Sequence, residues 1–414
     1  MRIVLIITAV ALSLATNAFA QSDFKTLDSK TYDYFLKGDY KNLKKTADTL
    51  LSLGSDYYYL RMRMGITAFN NQKYAESAPN FYKALEFNSF DTISADYLYY
   101  TYLYSGRKKD AVLFPGTISP ELKTTVLRLA ENGLDYQIFA GSSVTSFNQE
   151  AALSTSLYRE SLQSTYSFYA GFETGFKKKY TMSIALTSFT KTGRFNSYEY
   201  QSGDDFSFTQ AQIYGKLSAT LFPGWEASVF GSSAIYITLQ STNEIIKEKN
   251  IGAGISKNWW KIRTGGAFSI SNFSNSKQFR EEAYITWLPQ GNLNLYLTTG
   301  GMFQYDINWG SSFQLDQEIG YKISKFLWGE TGFIMGNSFL YTRNQGYTMN
   351  NSFQIPSGVV YTNLILPLKK INITLSPYFA QYQNYSWNLN SYSRSNHETV
   401  NSFGVAIKIN YNNR

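Results

Sequence analysis

The sequence predicts a transmembrane antiparallel β-barrel of about 14 strands, preceded by an α-helical repeat domain. Three observations predict it. The chain opens on a short basic and then apolar leader, its hydrophobic period changes from 3.6 to 2 near Leu134, and the connections after that point mostly alternate between short and long.

The leader comes first. Arg2 is followed by an almost wholly apolar run from Ile3 to Thr16, and Ala18-Phe19-Ala20 has the small-any-small form of a secretory cleavage site. Residues 1–20 are therefore expected to be a signal peptide. Cysteine is absent throughout, which excludes a lipid anchor on cysteine, a disulfide framework and a thiolate metal site. Past the leader, no window approaches the roughly 18 apolar residues of a spanning helix. The 34 Tyr, 30 Phe and single His, with only 16% charged residues, are unlike a soluble acid–base enzyme. The net charge of +8 is dispersed, with Lys177-Lys178-Lys179 as its longest run. Acidic lipid or polysaccharide suits such a surface, and nucleic acid is not an expected partner.

Residues 24 to about 125 read as helix and repeat every 34 residues: Gly38, Gln72 and Gly106 fall at that spacing, each at the turn between paired helices. Tyr40 and Tyr74 follow two residues after the turn. The best unit runs from Tyr58 to Asp91, with Gly65 in its first helix and Phe81 and Lys83-Ala84-Leu85 in its second. Small residues let antiparallel helices approach, and large ones fill the gap to the next pair. The third unit is degraded, because Pro115 falls where its second helix should run. A closing helix is expected over 120–132. The domains are thus 1–20, 21–132 and 133–414.

From Leu134 the alternation is that of strands. In the last one, Phe403, Val405, Ile407, Ile409 and Tyr411 alternate with Ser402, Gly404, Ala406, Lys408 and Asn410. Fourteen strands of roughly ten residues, the length that crosses a bilayer, are expected to start near residues 134, 165, 180, 207, 225, 248, 260, 278, 292, 311, 326, 357, 371 and 398. Short turns fall at 177–179, 222–224, 257–258, 289–291, 324–325 and 369–370, against mostly longer connections between them. In outer-membrane barrels the short turns face the periplasm, which puts the helical domain there too.

The register assigns thirteen charged residues to the lumen: Asp135, Glu173, Lys216, Glu226, Lys261, Arg263, Arg280, Glu282, Asp316, Glu318, Lys322, Glu330 and Lys408. Seven acids against six bases fit a wet pore of weak ion preference, or equally a lumen packed with paired charges. A second candidate site is the groove lined by first-helix positions of the repeats: Tyr32, Phe35, Tyr59, Met62, Phe69, Tyr100 and Tyr104. Such aromatics suit sugar faces or peptide side chains, and about half of these residues are expected in the core instead.

No catalytic, cofactor or metal site is expected. Gly252-Ala253-Gly254 lacks the third glycine of a nucleotide loop and sits in a strand. His397 lies in a polar run without an orienting partner, and Glu199, Asp204 and Asp205 read as a solvated loop.

With these residues in place, the helical units resemble tetratricopeptide repeats. The whole layout resembles YaiO-like outer-membrane proteins and, more loosely, the exopolysaccharide export porins. That resemblance implies an outer-membrane channel or export barrel whose repeats recruit a periplasmic or envelope protein, with polysaccharide a further candidate partner; it transfers no functional residue. The alternative is a scaffold anchored in outer-membrane lipid by a closed barrel. A membrane enzyme is disfavoured by the thin acid–base inventory.

Overall fold

The computed structural model describes residues 23–114, 117–124, 135–148, 159–176, 179–196, 204–238, 245–273, 276–308, 310–336, 341–343, 348–350, 355–388 and 393–412. The expected signal peptide, residues 1–20, lies outside the described residues. The chain divides at Asn132/Gly133 into two compact units.

The first unit is helical: α1 (23–36), α2 (Tyr40–Ser52), α3 (Tyr58–Asn70), α4 (Tyr74–Phe87), α5 (Thr92–Tyr104) and α6 (Lys108–Leu113), with a further helical turn at 120–124. Its period is written in the backbone. Gly38, Gln72 and Gly106 all have positive φ, at 65°, 58° and 76°. At each, the same pair of hydrogen bonds closes the preceding helix: Asp39 N–H to Tyr34 O, Lys73 N–H to Ala68 O and Arg107 N–H to Tyr102 O, with the shorter bonds from residues 38, 72 and 106 inside them. This is the αL helix stop that glycine accepts without strain. Asp39 and Asp91 start the next helices by accepting from Asn42 N–H and from Ile93 and Ser94 N–H.

Apolar residues at helical spacing then pack. Leu43, Ala47, Leu50, Leu60 and Met64 form a buried cluster against which Leu27, Tyr34 and Phe35 close. Gly65 allows the close approach of α3 and α4, since a Cβ there would meet the Phe81 ring at 2.8 Å. Inter-repeat ties fasten the stack: Tyr58 Oη donates to Asp91 at 2.8 Å, Lys44 pairs with Glu76 at 2.9 Å, and Arg63 and Tyr57 both engage Asp28. In the third unit α6 stops at Leu113, because Phe114 precedes Pro115 and is extended.

The second unit is a closed antiparallel barrel of fourteen strands: β1 (Asp135–Asn148), β2 (Arg159–Phe176), β3 (Tyr180–Asn196), β4 (Asp204–Phe222), β5 (Trp225–Thr238), β6 (Ile245–Asn258), β7 (Ile262–Phe273), β8 (Ser276–Trp287), β9 (Leu295–Asp306), β10 (Gly310–Ser324), β11 (Leu327–Gly336), β14 (Ile355–Pro367), β15 (Ile371–Asn388) and β16 (Ser393–Asn412). A separate two-stranded hairpin, β12 (Tyr341–Arg343) with β13 (Thr348–Asn350), sits in the connection from β11 to β14. Each barrel strand pairs with its sequence neighbours, and β16 closes on β1 through Gln137↔Asn412 to Asn148↔Asn401. The barrel therefore begins and ends at the same rim as its short turns.

The strands are longer than the ten residues expected: they run from 10 in β11 to 20 in β16. The extra length is at the rim opposite the short turns. There the strands consume what reads in sequence as loop, so Asp204 and Asp205 belong to β4 and His397 pairs with Tyr385 inside the final hairpin. Conversely, Lys261 is in the turn before β7, and the β8–β9 turn spans 288–294.

Candidate functional site

Alternation assigns each strand an outer and an inner face. Among the described residues, every exposed large apolar side chain within the fourteen strands, apart from Tyr284, lies on one face, from Ile138 and Val144 on β1 to Phe403, Ile407 and Ile409 on β16. The opposite face carries the buried Ser, Thr, Gln and charged residues and is the lumen. Tyr180, Trp225, Trp259, Trp287 and Phe326 ring the outside of the short-turn rim.

The inner face is built on cross-strand pairs of glycine with an aromatic ring. Gly141 faces Tyr169, Gly171 faces Phe139, Gly252 faces Phe230, Gly265 faces Tyr284, Gly320 faces Tyr296, Gly332 faces Tyr361 and Gly404 faces Tyr378, each directly opposite in the ladder. In all seven the ring lies where a Cβ would be; at Gly332 that Cβ would meet Tyr361 Cζ at 2.6 Å. Missing side chains on one strand thus seat large ones from the next, which keeps the rings flat on the wall.

Over this lining the charges fall at two levels. Towards the short-turn rim, Glu173, Lys216, Glu226, Arg263, Lys322, Glu330 and Lys408 are half-buried on the inner face. Hydroxyls and amides hold the carboxylates: Ser183 donates to Glu173 at 2.9 Å, Asn363 to Glu330 at 2.9 Å and Tyr361 to Glu318 at 2.8 Å, and Tyr296 also donates to Glu330. The Lys408 ammonium lies 5.5 Å from the Phe139 ring centre. Midway up, Arg280 is buried, donates to Ser269 at 3.0 Å and pairs with Glu282 at 3.1 Å. Asp316 is also on the inner face; Lys261, expected there, lies instead in the β6–β7 turn, because β7 starts only at Ile262; the Asp135 side chain lies outside the described residues.

Towards the opposite rim the side chains of the inner face are buried. Thr145, Thr165, Lys191, Gln210, Tyr236, Glu248, Ser271, Gln278, Asp306, Gln314, Ile334, Ala380 and Ser402 are all buried and come from all but one of the barrel strands. Ser276 and Gln278 donate to Asp306 at 2.6 and 2.8 Å, and Tyr236 donates to Glu248. The lumen therefore grades from a half-buried charged vestibule to a buried, mostly polar ring that includes Lys191, Glu248 and Asp306. Lys191, Glu248 and Asp306 were missed by sequence reasoning. Continuing the same two-residue alternation past ten residues would have found Lys191 and Asp306, and Glu248 stands at the very start of its expected strand.

The second candidate site divides. Met62 is a correction: it is 8% exposed and its sulfur accepts from Ser94 Oγ at 2.8 Å, because α5 packs over it. Phe35 closes on the buried cluster, and Phe69 is half-buried among Tyr74, Tyr97 and Tyr104. Tyr32, Tyr59, Tyr100 and Tyr104 are on the surface, Tyr59 at 66% and Tyr104 at 58% exposure. Tyr100 and Tyr104, one helical turn apart on α5, stack with ring centres 6.1 Å apart.

No family model and no curated protein matches this chain. Solved structures do resemble it. A deletion mutant of the TodX monoaromatic hydrocarbon channel has a TM-score of 0.48 at 7% identity, over 69% of this chain and 92% of that one. A Pseudomonas aeruginosa FadL homologue has 0.45 at 8%, over 75% and 94%. A bacterial polysaccharide outer membrane secretin has 0.37 at 8%, over 67% and 98%.

Proposed function

We propose that the chain is an outer-membrane transport barrel, its short turns and helical unit on the periplasmic side, with a lumen loaded from the periplasm and gated at the opposite rim. The observation that carries this is the graded lumen: a half-buried vestibule of both signs at the short-turn rim, and a buried ring of polar side chains beyond it. The outer face supports the membrane reading, because a closed barrel pairs every backbone group, and an apolar belt with aromatic side chains at its short-turn edge suits lipid. A mixed-charge vestibule suits polar solutes or a neutral polysaccharide better than one ion type. The helical unit is tetratricopeptide-like, and its exposed tyrosines Tyr32, Tyr59, Tyr100 and Tyr104 are the surface by which it recruits an envelope partner.

The buried ring favours one second reading, an anchored scaffold whose barrel never opens. Planar-bilayer recording separates the two. The wild type should conduct rarely, and Tyr236→Ala with Gln278→Ala and Gln210→Ala should give steady conductance. A silent ring variant that is folded in the bilayer would leave the scaffold reading. The orientation is checked by epitope tags: one at Asn243 should be reached on intact cells and one at Lys369 only after the envelope is opened.

A further inference from the structure

We propose that the outer face of β6–β8, at the rim away from the short turns, docks the phosphate groups of anionic lipid in the leaflet at that rim. The proposal rests on the barrel being embedded in a membrane. Among the described strand side chains, only five charged ones face outward: Lys247, Lys249, Lys257, Lys277 and Glu281. Lys257 is at the short-turn edge, its ammonium 4.5 Å from the Trp225 ring centre. The other three lysines fall together on two strands that flank β7.

The ladder sets their geometry. Lys249 pairs with Asn272, and Asn272 pairs with Lys277, so the two lysines share one row with an outward amide between them. Two strand spacings put their Cα atoms about 10 Å apart, and Lys247 lies about 7 Å further along β6. All three are exposed, and no ion pair or side-chain hydrogen bond holds them among the described residues. Three ammonium groups, an amide and the apolar wall of Ile251, Ile270 and Phe279 beneath them match a phosphate headgroup above acyl chains.

Their depth fits as well. Lys249 stands nine positions above Asn258, and Lys277 ten above Trp287. At about 3.3 Å per residue and a tilt near 40°, both lie roughly 23–25 Å above the short-turn edge, which is the height of the apolar band of such barrels. The outward carboxylate Glu281 is deeper, between its ladder neighbours Phe268 and Phe303, about 13 Å along the strand from Lys277. Among the described residues, no carboxylate faces outward beside the three lysines at the headgroup level.

The test uses the full mature chain folded into vesicles of phosphatidylcholine, with or without phosphatidic acid, and reads bound lipid by native mass spectrometry after gentle extraction. The wild type should retain phosphatidic acid over phosphatidylcholine. Lys247→Gln with Lys249→Gln and Lys277→Gln should lose on the order of 100-fold in that preference, at roughly fivefold per lysine near an anionic surface. Lys369→Gln with Lys370→Gln, at the opposite rim, should retain it. Equal loss in both variants, or a wild type indifferent to phosphatidic acid, overturns the proposal, as does competition by inorganic phosphate. A wild type that does not fold into phosphatidylcholine alone would instead overturn the membrane reading beneath it.

Discussion

Ile407 and Ala406 are neighbours on β16 that face opposite ways, and one charge placed at each tests the barrel directly. Ile407 is on the outer face, half exposed. It stands five residues from Asn412, where β16 ends at the short-turn rim. Five residues at about 3.3 Å and a tilt near 40° raise it about 13 Å, the middle of an apolar band roughly 25 Å tall. A lysine there should cost the full midplane penalty of about 2–4 kcal/mol, or roughly 30- to 700-fold in the folding equilibrium at 1.4 kcal/mol per tenfold. Ala406 pairs with Ser143 and Ser376 on the inner face, two residues from Lys408. Ala406→Lys meets only a like charge on the same wall, a cost below about 1 kcal/mol. Urea titration of folding into phosphatidylcholine vesicles, followed by the mobility shift between folded and heated protein, measures both. Equal losses, or a greater loss for Ala406→Lys, would refute the assignment of faces.

Three further outcomes are expected. Gly332→Ala should lose about 1–3 kcal/mol through overpacking, because its Cβ meets Tyr361 at 2.6 Å and the Gln317 carbonyl at 2.7 Å; adding Tyr361→Ala should recover part of that, and strict additivity in the same titration would count against the ring-on-glycine lining. Gln72→Gly should stabilise the helical unit by about 1 kcal/mol, since Gln72 alone among the three repeat stops carries a side chain at positive φ; no rise in thermal midpoint by circular dichroism would contradict this. Tyr58 is pushed up to about 12 by burial and by its bond to Asp91. Its folded value is raised, so its stabilisation is complete below the ordinary value near 10 and is lost as pH climbs from 10 towards 12. The advantage of wild type over Tyr58→Phe should shrink across that window, and a constant difference from pH 8 to 12 would exclude the linkage.

Much of this architecture is local and therefore legible in the sequence. A two-residue alternation states which way each strand side chain points before any partner is known, so the charged positions from Glu173 to Lys408 could be assigned to a face one strand at a time. Likewise Gly38, Gln72 and Gly106 mark helix stops because the αL turn is a property of a few consecutive residues. What only the tertiary structure decided depends on neighbours far apart in the chain. Strand ends were misplaced because a strand continues as long as a partner supplies hydrogen bonds, and β15 and β16 support each other well past the point where the apolar alternation stops. The pairing of seven glycines with seven rings needs the register between strands, which no single strand contains. Burial of Met62 beneath α5, with Tyr59 three residues earlier left on the surface, follows from where a helix thirty residues later comes to rest. The division of the inner face into a half-buried vestibule and a buried ring arises in the same way, because closure of β1 on β16 brings the first and last strands around one axis.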